Sequence, residues 1–407
     1  MAVVHILFLA DAIFEDLPGG SRTVARELAR ELLTLGHRVT FLVGHQRPDT
    51  PDDEVLSGYR VMRYPGAGEG KRFNHEGEAA ARKLLDAGEK FDVVHTHFAW
   101  AAIGPLKALK NVPHVRSFYG PWHDESRVED LARVAKTGNP LKKALLSALV
   151  PVKWAAKRKI ERTNVASATR TIVLSEHSIQ EVTDLGYPRE KIVKIPAGAD
   201  LSRFTLEGKL SARTRLDLPE NVPVLFSVRR LAPRMGLDNL LAAMPAVVKK
   251  HPEALLLIGG KGPLAGFLQS EVERRGLSQN VRMLGFIPDE KLADHYRAAS
   301  LFVLPTVALE GFGLITVEAF ACGTPVIGTP VGAIPEVLRP FDPRLLARDA
   351  SPDALAEGIL RLLESDLKAE FPPEKLRAYV ESHYTWQKHT AGVIRIYEEV
   401  MKENGQR

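Results

Sequence analysis

The chain has a single cysteine, Cys322, in 407 residues. That excludes an intrachain disulfide and a multi-cysteine metal centre, and it fits a reducing compartment. No apolar run approaches the roughly 20 residues of a membrane-spanning helix. The opening MAVVHILFLADA is apolar and ends in Ala10-x-Ala12. It lacks the cationic start and longer apolar core of a secretory signal, so it reads as a buried first strand and the protein as cytoplasmic. There is no fixed-period repeat and no low-complexity segment, which excludes repeat arrays and disordered tracts. The first glycine turn, Gly19-Gly20, lacks the G-x-G-x-x-G spacing of a dinucleotide fingerprint.

What is present describes an ordinary globular chain, 45% hydrophobic and 26% charged. At this length two domains are expected, because one core seldom grows so large. The net charge of +5 suits an anionic ligand such as a nucleotide diphosphate, or an acidic membrane surface, and does not choose between them.

The first half reads as alternating strands and helices. Val3–Ala10 is a continuous apolar run, as in a central parallel strand. A loop, Asp11–Gly20, leads to a helix over Ser21–Leu35 with Ser21 as its N-cap, and then to a strand over His37–Val43. The stretch 44–75 is rich in Pro, Gly, Asp and Arg, with one short strand near Tyr59–Tyr64, and a helix follows over Asn74–Ala87. Phe91–Phe98 is a strand running out into polar residues, which puts His97 at a strand exit, where ligands bind in parallel sheets. His95, inside the strand, reads as structural. The strand His114–Phe118 ends in Tyr119, Trp122 and His123, aromatic groups for stacking on a sugar or lipid acceptor or for plain packing. Asn139–Thr163 is the most basic stretch, and Pro151 is expected to break it into two amphipathic helices. Their basic faces are either solvated or set against an anionic membrane. A strand, Thr171–Leu174, a helix capped by Ser175, and Ile192–Ile195 follow, with a domain boundary near 205.

The second half restarts the alternation: strands at Val224–Val228, Ala254–Gly259, Val281–Leu284 and Leu301–Leu304, with helices at Leu237–Lys250, Leu264–Arg275 and Asp289–Ala299 between them. Such a series makes a parallel sheet covered by helices on both faces. It leads into LPTVALEGFGLITVEAFACGTPVIGTPVGAIPEV, residues 304–337. That stretch is a strand, a glycine loop and a helix start. Gly311 and Gly313 let the backbone approach a ligand, and the helix Leu314–Ala321 aims unpaired N–H groups at the same place. A polyhydroxylated or phosphorylated ligand suits such a site. Glu318 stands among apolar neighbours and needs donors, either hydroxyls or an Arg.

Glu310 and Glu318, with seven residues between and AFACGTPVIGTPVGAIPEV following, closely resemble the signature of glycosyltransferase family 4 (GT4). These are retaining, nucleotide-sugar-dependent enzymes of the GT-B fold. Val228–Gly236 is similar to the family's G-R-L-x-x-x-K-G, with Arg230 at the arginine position, Met235 at the lysine position and Arg234 just before it. Gly259–Pro263 is similar to its glycine-rich turn, and Pro196–Asp200 to its P-x-G-V-D.

The resemblance implies an α/β chain of two Rossmann-like doubly wound domains facing each other across a cleft. Residues 1–205 would take the acceptor and 206–385 the nucleotide sugar, with a helix in 386–407 packing back on the first domain. A sugar would pass from a UDP-, GDP- or ADP-sugar to a hydroxyl of a glycan, lipid or small molecule. The family's route is retaining front-face attack with the departing phosphate as base and no required metal. Glu310 would meet the donor sugar together with the Gly311, Phe312, Gly313 and Leu314 backbone, and Glu318 the ribose hydroxyls. Arg230 and Arg234 would neutralise the leaving diphosphate, while strand alternation turns Arg229 away. Gly19 and Gly20 would lie against the phosphates, Gly260 and Lys261 along the nucleotide, Phe286 by the base, and His97 near the sugar. Tyr119 stands where many relatives have His. No nucleic acid partner is expected, and peripheral contact with the inner face of a membrane through 139–163 is the sharper reading of that stretch. Two other readings remain: a GT-B epimerase or phosphorylase, and a non-catalytic nucleotide-sugar-binding or membrane scaffold. Donor turnover separates them.

Overall fold

The apolar runs become the inner strands of two separate parallel sheets. A computed structural model describes residues 3–65, 71–135 and 137–405. Residues 66–70, part of the turn-rich stretch 44–75, lie outside the described residues. The chain forms two units: Met1–Asp124 with Ala148–Ala197 and Trp386–Arg407, and Glu125–Ser147 with Gly198–Thr385.

The first unit holds β1 (His5–Leu9), β2 (Arg38–Gly44), β3 (Asp53–Leu56), β4 (Tyr59–Tyr64), β5 (Val93–Thr96), β6 (His114–Phe118), β7 (Arg170–Val173) and β8 (Ile192–Lys194). They lie in the order β3-β4-β2-β1-β5-β6-β7-β8. All neighbours are parallel except β3, which pairs antiparallel with β4. Ser57 and Gly58 both take positive φ between them, the conformation of a two-residue hairpin turn. Strand alternation divides the core between two layers. Ile6 and Phe8 of β1 pack with Ala25, Leu28 and Leu32 of the helix Gly20–Thr34 and with Val393, Ile396 and Val400 of the C-terminal helix Trp386–Glu403. Leu7 and Leu9 face the other way, onto Ala81 and Leu84 of the helix Lys71–Asp86.

Three local expectations need correction. The first helix starts at Gly20 with Gly19 as N-cap and no side-chain cap. The Gly19 carbonyl already accepts from the Thr23 N–H at 2.8 Å, so Ser21 falls inside the first turn. Trp122 and His123 open a helix, Trp122–Ala135, rather than a loop. The buried Glu161 carboxylate accepts from both their backbone N–H groups, at 3.0 and 3.1 Å, satisfying donors that a helix start leaves open. Pro151 does not split its stretch: one 28-residue helix runs over Pro140–Ser167. The proline removes a donor to the Ser147 carbonyl, but Ser147 is exposed and water can take that place.

The second unit holds β9 (Val224–Val228), β10 (Leu255–Gly259), β11 (Val281–Gly285), β12 (Leu301–Leu304) and β13 (Val326–Gly328), in the order β11-β10-β9-β12-β13. All are parallel. Their carboxyl ends, and the loops that leave them, therefore gather at one edge. Among the described residues no helix is long and apolar enough to cross a membrane.

Candidate nucleotide-sugar site

Three loops meet at the carboxyl edge of the second sheet, and glycines let them touch. A Cβ placed on Gly260 would stand 1.7 Å from the Arg229 carbonyl oxygen, and one on Gly236 would stand 1.8 Å from that of Pro305. Both have positive φ as well, so no side chain is tolerated at either position. Backbone bonds stitch the same contacts: Arg229 N–H to Gly259 O, Leu231 N–H to Lys261 O, and Val307 N–H to Arg234 O, all 2.9–3.0 Å.

Glu310 lies where the loop after β12 enters the helix Leu314–Ala321. Gly313, at φ 83°, is that helix's N-cap. A Cβ on Gly313 would sit 3.9 Å from the Glu310 carboxyl carbon, so the carboxylate turns back over the helix start, where negative charge is favoured. It is held there. Arg229 Nη2 donates to Glu310 Oε2 at 2.5 Å, Arg229 Nη1 donates to Thr306 Oγ1, and the Thr306 hydroxyl donates to the same carboxylate at 3.2 Å. The Arg229 side chain is 5% exposed and that of Glu310 13%.

This overturns the expectation that Arg229 faces away. β9 ends at Val228. Pleat alternation stops there, and the long side chain crosses to the neighbouring β12 loop. Arg230, its neighbour, is 55% exposed and pairs with Glu129 at 2.5 Å. Arg234 is mostly buried and acts as a strap: Nη1 donates to the Leu309 carbonyl at 2.7 Å and Nη2 pairs with Glu125 at 2.9 Å. Arg230, Arg234 and Glu310 thus lie on adjoining loops, but the guanidinium touching Glu310 is that of Arg229.

Glu318 is buried in the second turn of its helix and accepts from the Tyr296 hydroxyl at 2.8 Å. Burial first, then the charge of Glu318, pushes Tyr296 well above the usual phenol range, so the phenol stays a donor. The Thr316 hydroxyl, in the first helical turn, is buried with no partner among the described residues. Sequence reading passed over Thr306, Thr316 and Tyr296. Only Thr316 carried a signal, as a hydroxyl in an otherwise apolar helix start. The Phe312 ring is 5% exposed and packs edge-on against Tyr384 at 5.7 Å, so only its backbone is available to a ligand. Lys261 Nζ stands 5.2 Å over the Phe286 ring, which is half exposed beyond β11.

In the first unit, Gly19 and Gly20 stand at the helix start beyond β1, with the Asp11–Arg22 ion pair beside them. His97 follows β5 directly. Its N–H donates to Leu9 O at 2.8 Å, its Nδ1 meets the Tyr119 hydroxyl at 2.7 Å, and its Nε2 is buried with no partner among the described residues. Among the described residues no group of three or more His, Cys, Asp or Glu side chains is placed to hold a metal ion.

Two parallel-sheet units with a glycine-loop helix start are the architecture of GT-B glycosyltransferases. Sucrose-phosphate synthase from Thermosynechococcus elongatus superposes with a TM-score of 0.81 at 22% identity, over 99% of this chain and 100% of that one. The family model Glycosyltransferase Family 4 matches residues 18–203, and Glycosyl transferases group 1 matches 209–383. The chain belongs to glycosyltransferase family 4. Among its relatives, phosphatidyl-myo-inositol mannosyltransferase of Mycobacterium tuberculosis is 29% identical over 95% of this chain and 94% of that one. A GDP-mannose-dependent monoacylated alpha-(1-6)-phosphatidylinositol monomannoside mannosyltransferase of Corynebacterium glutamicum is 33% identical over 47% of this chain and 52% of that one. The protein is therefore a glycosyltransferase that takes its sugar from a nucleotide-sugar donor.

Proposed function

We propose that the protein transfers mannose from GDP-mannose to a hydroxyl of an inositol-containing lipid, with retention at the anomeric carbon. The donor is assigned to residues 206–385 and the acceptor to 1–205. The observation that carries this reading is the Glu310 carboxylate, pinned by Arg229 and Thr306 over the start of the helix that also holds Glu318. Pinned in this way, Glu310 keeps a fixed oxygen for a sugar hydroxyl. Glu318 accepts from the ribose hydroxyls, with Tyr296 holding its orientation. Phe286 offers a ring face to the base. Breaking the donor bond leaves charge on the diphosphate, and the helix start with Arg230 and Arg234 is aimed at that charge. The diphosphate takes the places that the Glu129 and Glu125 carboxylates hold at these guanidiniums. The acceptor oxygen attacks on the face that the phosphate leaves, and the phosphate removes its proton. Cationic side chains serve the leaving group, so a chelator should leave the rate unchanged.

The test is calorimetry with GDP-mannose, UDP-glucose and ADP-glucose, followed by turnover with the tightest donor. Glu318→Ala is expected to weaken donor binding by about 1.5–3 kcal/mol, roughly tenfold to a hundredfold, because the ribose loses a charged acceptor. Unchanged affinity would remove the ribose role. Tight binding without donor consumption, every acceptor supplied, would favour a scaffold.

The helix Pro140–Ser167 supports the lipid acceptor. Leu141, Leu145, Leu149 and Val152 are 82, 63, 40 and 64% exposed. Their spacing of four, four and three lays them in one stripe, and Lys142 and Lys153 stand exposed beside it. An apolar stripe bordered by Lys142 and Lys153 fits an anionic lipid surface, each of these lysines adding about 1 kcal/mol there. The enzyme then works peripherally, at the cytoplasmic face. Leu145→Glu should cut sedimentation with phosphatidylinositol-containing vesicles at least tenfold without changing the melting temperature. Equal sedimentation of variant and wild type would sink the assignment.

A further inference from the structure

The loop from β12 to the helix Leu314–Ala321 turns at a residue poorly suited to the turn. Leu309, just before Glu310, has φ 60°, the left-handed region where a Cβ crowds the backbone. The other non-glycine residues with positive φ among the described residues are Ser57 and Asp217, both polar. A leucine has no polar side-chain atom to bond its own backbone, so its neighbours must hold it there.

One residue does most of that. Arg234 lies in the short turn Pro233–Met235 that follows β9. Its carbonyl accepts from the Val307 N–H at 3.0 Å and the Ala308 N–H at 3.4 Å. Its Nη1 reaches past both and donates to the Leu309 carbonyl at 2.7 Å. The next carbonyl, that of Glu310, accepts from the Ala333 N–H at 2.9 Å, and a Cβ on Gly332 would collide with the same oxygen. Four successive residues, 307 to 310, are therefore tied through their backbones. The ties at 307, 308 and 310 are main chain to main chain. The tie at Leu309 is made by a side chain, and it falls on the strained residue. Rotating Leu309 out of the left-handed region would swing its carbonyl off Nη1 and turn the Glu310 peptide with it.

We infer that Arg234 is a positioning residue as well as a cation: one end of its guanidinium, Nη1, holds Leu309 left-handed and so keeps Glu310 over the helix start, while the other end, Nη2, faces the diphosphate. The diphosphate half rests on the donor reading above; the grip on Leu309 does not. A guanidinium is a rigid planar fork, so a single group sets the loop and the phosphate contact in register. A lysine offers one Nζ and serves either end, not both. That gives Arg234→Lys a definite meaning: the charge stays and the grip goes. Leu309→Asn supplies the complement, because asparagine accepts the left-handed region that leucine resists.

The experiment is hydrogen exchange of the intact protein without donor, read by mass spectrometry on the peptide spanning 305–313, with melting temperatures measured alongside. Arg234→Lys should speed exchange there by about tenfold, and adding Leu309→Asn should slow it again by about fivefold. Leu309→Asn alone should match wild type. Leu309→Val, which disfavours the left-handed region further, should loosen the peptide with Arg234 intact. Exchange in Arg234→Lys equal to wild type, or an Arg234→Lys loop that Leu309→Asn does not tighten, overturns the inference. The second arm is GDP-mannose turnover with phosphatidylinositol vesicles. There kcat should fall in Arg234→Lys and recover in the double variant. A loop that loosens and tightens as expected while kcat stays flat would uphold the grip and remove Glu310 from the sugar.

Discussion

Arg229→Ala is expected to cost the second unit about 3–5 kcal/mol and to abolish transfer, while Arg230→Ala, one residue on, should leave the melting temperature where it was. The first figure is the usual result of removing one partner from a buried ion pair. Arg229 is 5% exposed, and without it the Glu310 carboxylate keeps only the Thr306 hydroxyl of its two partners. The second expectation follows from Arg230 being 55% exposed and bound to a surface glutamate, a contact worth no more than about 1 kcal/mol. Its loss should appear in turnover, by about a hundredfold, if it meets the leaving diphosphate. Differential scanning calorimetry beside donor-saturated kinetics separates the two. Equal melting temperatures for the two variants would show that the Arg229–Glu310 pair does not support the loop. Equal loss of stability and activity in Arg230→Ala would take that residue away from the phosphate.

Acidification should unfold the first unit well before neutral-pH stability would suggest. His95, His97, His114 and His389 all lie in it, fully enclosed. Burial is the main cause in each case, and Arg116 adds to it at the first three. It holds His114 down at about 3, His389 at about 4, and His95 and His97 well below the ordinary value. These groups stay neutral in the folded protein and take up protons only when it unfolds. The unfolded chain therefore binds more protons at any pH below about 6.5, and stability rises with pH there. The contribution is complete above that value and drains away as pH falls toward 4. Between pH 7 and 5.5 each histidine forfeits on the order of 1 kcal/mol, so the four together lose several kcal/mol. That is comparable with the whole stability of many domains. Urea titrations at the two pH values, followed by Trp386 fluorescence against a second-unit probe, should show the first unit's midpoint fall further than that of the second, where burial lowers His295. A midpoint unmoved between pH 7 and 5.5 would mean the histidines are already hydrated and titrating in the fold.

Much of the second unit could be read from the chain. Its strands and helices follow apolar runs punctuated by glycine and proline, and the family signature covers its carboxyl edge. The location of the Glu310 loop was legible because Gly311, Gly313 and the apolar helix after them form a contiguous pattern. The partner of Glu310 was not. Arg229 and Arg230 are chemically alike and adjacent, and which one turns inward depends on where β9 stops and how near the β12 loop lies. Pro151 misled for a related reason. A proline breaks a helix only when the freed carbonyl cannot find another donor, and exposure of Ser147 is a property of the fold.

The sequence alone determined the family, the two-sheet α/β architecture and the loops that bear chemistry, since period-two and period-3.6 apolar patterns and glycine spacing are local properties of the chain. Only the tertiary structure decided which guanidinium holds Glu310, why Tyr296 faces Glu318, and that a tyrosine 302 residues away bonds His95. Those pairings join segments distant along the chain, and a hydrogen bond between such segments leaves no mark in the spacing of either.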